Sequence, residues 1–115
     1  MAEISPAHRA VEHSDLVTLA RLLRSGEVDI HEEDDGLTLL HHAIDVELDA
    51  HVQTGEPLHV DLTALLLALG ADPRRGSGGG VGPTAEHVAF VNGHWLASCL
   101  IEAWTNRMPS EGNVA

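Results

Sequence analysis

The chain has 115 residues and sets 18 acidic side chains against six arginines and no lysine, for a formal net charge of −12. That fits one domain and argues against a nucleic-acid backbone as partner. Hydrophobic residues make up 43 % but aromatic ones only 3 %, so the core must come from Leu, Val, Ile and Ala, which favours packed helices, and the lone Cys99 excludes an internal disulfide or a four-cysteine zinc site.

Three segments begin alike. Ser5-Pro6-Ala7-His8-Arg9-Ala10 opens the first. Its hydroxyl suits a helix N-cap and its proline the first helical position. A second helix follows, with leucines at 16, 19, 22 and 23, and closes on Arg24-Ser25-Gly26, a basic last turn before a C′ glycine. The loop His31-Glu32-Glu33-Asp34-Asp35 comes next. Thr38-Leu39-Leu40-His41-His42-Ala43 starts the second unit, which runs to Leu62–Leu69 and Gly70. Thr84-Ala85-Glu86-His87-Val88-Ala89 starts the third, whose second helix is expected over Trp95–Trp104. Each start places His three residues after the hydroxyl and Ala two beyond it.

These segments resemble ankyrin repeats. Ser5 to Thr38 is the period of that family, whose units carry a T-P-L-H-x-A helix start. Gly36-Leu37-Thr38, Gly82-Pro83-Thr84, Asn92-Gly93-His94 and Leu66-Leu67-Ala68-Leu69-Gly70-Ala71-Asp72-Pro73 match further family features. The resemblance covers roughly residues 4–104. It implies an all-α fold: an ankyrin-like stack of three helix-turn-helix repeats, in units of about 4–34, 35–73 and 82–104. The second repeat carries about 11 extra residues, an elongated helical hairpin or insertion. One domain over 1–104 and a mobile tail over 105–115 are expected. Leu39 replaces the family proline, and Glu86 stands where a buried leucine is usual. The resemblance also implies that His8, His41 and His87 hydrogen-bond backbone groups and tie neighbouring units.

The charge is uneven. Residues 1–61 carry fourteen acids and three arginines, whereas 62–115 carry four and three. In ankyrin proteins the loop holding Glu32, Glu33, Asp34 and Asp35 is a projecting finger, so the resemblance makes these acids candidate partner contacts; a solvated acidic turn is the plainer reading. By the same resemblance the first helices offer Arg9, Glu12 and His13, then His42, Asp45 and Val46, then Val88, Val91 and Asn92, a face running from charged to apolar. Trp95 and Trp104 are expected to pack as core or cap, with a binding hot spot as the alternative.

The 45–61 insertion is the other candidate. On an extended helix Glu47 and His51 share a face at i and i+4, and His59 approaches across the hairpin, a zinc-like set; the alternative is an acidic, solvated tip. Gly76-Ser77-Gly78-Gly79-Gly80-Val81-Gly82 lacks the lysine of a phosphate loop and is expected to be a flexible connection. Cys99 is expected in the core, and no nucleophile–base–acid signature orders the Ser, His and Asp residues.

The expected function is a protein–protein interaction module that binds, and in one version sequesters or inhibits, a basic partner protein. The alternatives are a small enzyme or metal-binding protein using the 45–61 insertion, or an assembly subunit. No catalytic residues, cofactor, nucleic acid or membrane partner are expected, and a monomer or weak oligomer is. The first residues lack a signal-peptide pattern, and Ala64–Leu69 is too short to span a bilayer, which suggests a cytoplasmic protein. The absence of lysine beside abundant Ala, Gly, Leu, Val and Asp suggests a GC-rich bacterial genome.

Overall fold

A computed structural model describes residues 4–107 of the chain. The fold is all-α: α1 (Pro6–Glu12), α2 (Leu16–Ser25), α3 (Leu39–Thr54), α4 (Asp61–Ala68), then α5 (Ser77–Gly80), α6 (Ala85–Asn92) and α7 (Trp95–Arg107). The only sheet among the described residues is a two-stranded hairpin, β1 (Glu33–Asp34) and β2 (Leu37–Thr38). No helix among them is long and apolar enough to cross a membrane.

The three helix starts have one physical cause. The hydroxyls of Ser5, Thr38 and Thr84 accept from the amides of His8, His41 and His87, at 3.1, 3.2 and 3.1 Å. Each satisfies an amide that the first helical turn would leave unpaired. Left-handed Gly26, Gly55 and Gly93 end α2, α3 and α6.

The helices pack as pairs: α1 with α2, α3 with α4, α6 with α7. The pairs also meet side by side, α1 on α3, α3 on α6, and α2 on α4. Ala7, Ala10 and Val11 of α1, Leu39, Leu40, Ala43 and Ile44 of α3, and Ala85 and Ala89 of α6 lie in one continuous core. Small residues on α1 and α6 let their backbones come close to the longer α3.

Three expectations change. The tail expected from Thr105 begins as helix, since α7 runs to Arg107; residues 108–115 lie outside the described ones. Cys99 is exposed rather than core. Ala97, Leu100, Ile101 and Trp104 face inward, and the 3.6-residue period leaves Cys99 on the opposite side. The glycine run is not a free connection: it is docked on the β-hairpin, as described next.

Candidate interaction surfaces

The β-hairpin turns through Asp35 and Gly36, with φ of 56° and 81°. Two left-handed residues in a row make the tight turn whose twist matches the strands. Glu33 pairs with Thr38 and Asp34 with Leu37. Three of the four finger acids are engaged inside the molecule. Asp34 Oδ2 accepts from the Ser5 amide at 3.1 Å, and Glu32 accepts from the Ser5 hydroxyl. The Glu33 carboxylate accepts from the Gly79 amide, at 3.0 and 2.9 Å to its two oxygens. Only exposed Asp35 has no hydrogen bond of this kind among the described residues.

The glycine run supplies the Glu33 contact by its backbone. Gly78 and Gly79 both have positive φ, 57° and 74°, a backbone path that glycine adopts without steric cost and along which the Gly79 amide meets the Glu33 carboxylate. Gly78 also donates to the Gly36 carbonyl at 2.7 Å. Gly76 and Thr84 form an isolated antiparallel bridge that closes the loop. A Cβ on Gly76 would stand 2.4 Å from the Gly82 carbonyl oxygen, so glycine is required there.

The helix-start histidines divide two to one. His41 is 2 % exposed; its Nδ1 meets the Thr38 hydroxyl at 2.6 Å and its Nε2 donates to the Pro83 carbonyl at 2.9 Å. His8 is fully buried, and its Nε2 faces the Glu32 carbonyl at a long 3.5 Å. Both rings thus reach from one helix start to the following loop. His87 is exposed, and among the described residues no carbonyl meets its ring. His8 Nδ1 also lies 2.7 Å from His42 Nδ1, with the rings stacked at 5.0 Å. Two nitrogens at that distance share one proton. Burial, and next the neighbouring His8, hold the His42 imidazole below its ordinary pKa, while Glu12, Asp45 and Asp34 pull the other way.

The proposed zinc-like set is not brought together. Among the described residues, no group of three or more His, Cys, Asp or Glu could hold a metal ion. α3 does extend through the insertion, but His51 Nδ1 donates to the Glu56 carbonyl near the helix end, and His59 faces Asp61 at 3.4 Å. Glu47 points the other way, with no exposure at all. Its carboxyl group accepts from the Thr63 amide at 3.0 Å, the Thr63 hydroxyl at 2.7 Å and His94 Nε2 at 2.8 Å. His94 is also fully buried. Its Nδ1 accepts from the Ala97 amide at 3.1 Å, which places the proton on Nε2 and caps α7. One carboxyl group therefore joins α3, α4 and the α6–α7 turn. Residue typing missed this, yet the period held the signal: Leu40, Ala43 and Ile44 define a buried stripe whose next position is Glu47.

The residues expected on the partner face fall into three rows. Counting from the three helix-start histidines, equivalent positions are Arg9–His42–Val88, Glu12–Asp45–Val91 and His13–Val46–Asn92. Glu12, Asp45 and Val91 are all exposed, Val91 at 61 %; in the flanking rows His42, Val46 and Val88 are half-buried and Arg9, His13 and Asn92 exposed. Trp104 packs on the core as expected, but Trp95 is 64 % exposed and Phe90 74 %. These two line one groove between α6 and α7, with Cys99 and Glu102.

Comparison with protein-family models, with curated proteins and with solved structures found no match to this chain.

Proposed function

We propose that this chain is a protein-interaction module of ankyrin-like architecture, in which the three helix pairs act as stacked repeats and present a recognition face along α1, α3 and α6. The observation that carries this reading is the middle row, Glu12, Asp45 and Val91. All three stay exposed while neighbours on the same helices, Val11, Ile44 and Ala89, are buried. Side chains held at fixed spacing on packed helices suit recognition of a preformed surface.

The partner favoured is a protein with a basic patch. Glu12 and Asp45 stand beside an apolar Val91, the mixture found in polar-rimmed interfaces, and the −12 net charge would steer a cationic surface toward them. The finger contributes Asp35; Glu32, Glu33 and Asp34 serve the fold first. Recovery of the full chain with bound protein from its native lysate, at low and moderate salt, identifies the partner. The triple variant Glu12→Gln, Asp35→Asn, Asp45→Asn leaves every described hydrogen bond of the finger intact. The expected result is association at least tenfold slower, with less salt dependence. Binding kinetics unchanged in that variant would remove this face from the reading.

A further inference from the structure

The two ends of the helical row differ in a way that fits them to each other. At one end, outside α6 and α7, lies the groove holding Phe90 and Trp95. A second groove continues from it past Glu86, His87 and Glu102. Its apolar centre is flanked by two carboxylates, and no arginine lines either groove. At the other end, outside α1 and α2, the lining includes Arg9, Arg21 and Arg24, with Asp15 as the one acid. Val17 stands there 80 % exposed, between Ala20 and the arginines. Arg21 also reaches Glu27 at 3.8 Å, a solvent-exposed pair that leaves Arg24 free of any such contact among the described residues.

The Phe90–Trp95 groove runs between α6 and α7, whereas Val17, Ala20, Arg21 and Arg24 line a groove along α2, beside the one between α1 and α2 that holds Arg9. Within the chain the position of α1 that corresponds to Phe90 is Val11, three residues after the helix-start histidine, and it is fully buried in the core that joins the first two pairs. We infer that a second copy of this chain docks its α1–α2 end on the α6–α7 end of the first. Val17 and Ala20 of one copy cover Phe90 and Trp95 of the other, and Arg21 and Arg24 face Glu86 and Glu102. The contact is heterologous: each copy keeps one free end of each kind, so growth does not stop at a dimer. His87, exposed at this end, gains a neighbouring chain as His8 and His41 have within their own. The surface is separate from the Glu12–Asp45–Val91 row, so it stands or falls independently of that proposal.

The test is sedimentation of the full chain over a wide concentration range at 0.15 M salt, where a Debye length of about 8 Å confines the repulsion between two acidic molecules. The unaltered protein should show a mass that keeps rising past the dimer as concentration increases. Val17→Asp blocks one end and Phe90→Asp the other. Both positions are exposed, so circular dichroism should show both variants folded. Each alone should be monomeric, and an equimolar mixture should form a dimer that does not grow, from the intact end of each. A wild-type chain that stays monomeric throughout overturns the inference. So does a mixture that remains monomeric, or a Val17→Asp variant that associates like wild type, which would mean that two α6–α7 ends meet each other.

Discussion

The first and second helix pairs join differently from the second and third. At the first junction both rows of helices pack, α1 on α3 and α2 on α4. Small and branched residues meet there, and the buried polar element is the His8–His42 pair. At the second junction α3 packs on α6, whereas α7 packs chiefly on α6 itself. Several polar contacts cross this second junction. Glu47 takes three donors, His41 donates to Pro83, and the glycine loop grips Glu33 and Gly36. A junction of apolar packing tolerates small displacements. One fixed by a buried carboxyl group has a single allowed register, because each donor left without its oxygen costs about 1–3 kcal/mol.

The sharpest way to break this contrast is Glu47→Ala. It strands the Thr63 amide, the Thr63 hydroxyl and His94 Nε2, so the loss should exceed about 3 kcal/mol. The urea midpoint of unfolding measures it, and a loss under about 1 kcal/mol would mean that the second junction does not depend on the acid. Glu47→Gln keeps the shape and one oxygen and should fall in between. Gly76→Ala comes next, because its methyl meets the Gly82 oxygen. It should cost about 1–3 kcal/mol, and amide exchange near Gly78 and Gly79 should accelerate ahead of global unfolding. If exchange there stays as slow as in α3, the loop is not held by this closure.

At the first junction, Ser5→Ala removes an N-cap and the donor to Glu32, for an expected loss of about 1 kcal/mol by the same denaturant measurement. The smallest effect concerns pH. His42 is held below its ordinary value of 6.5, first by burial and then by His8. Its proton therefore binds the unfolded chain more readily. Stability should be full above pH about 6.5 and decline as pH falls from there through the folded-state value. His42→Asn should flatten the slope between pH 7 and 5, and a variant with the wild-type slope would assign that slope to other histidines.

Much of the fold was legible because its signals are local. Three hydroxyls, three histidines and the cap glycines fix helix ends through bonds spanning a few residues, and the leucine spacing sets the core side. The end of α7 was missed because Thr105 reads as polar, yet its hydroxyl donates to the Ile101 carbonyl and the helix continues. The candidate sites were less legible. Four adjacent acids look like a charged patch in one dimension. Only the fold brings Ser5 from 29 residues away to Asp34 and Gly79 from 46 residues away to Glu33. Cys99 shows the opposite error: an apolar neighbourhood in sequence hid its outward direction on the helix.

The Glu47–His94 bond also bears on how such a chain can be altered. In an array of interchangeable units, a unit can be duplicated, deleted or swapped, because each buries a similar surface against its neighbour. Here the acid sits in one unit and a histidine that satisfies it sits in the next. Deleting the third helix pair leaves Glu47 with donors from Thr63 alone. The buried bond therefore ties the third helix pair to the second, as the His8–His42 contact and the Ser5 bonds to Glu32 and Asp34 tie the first to the second.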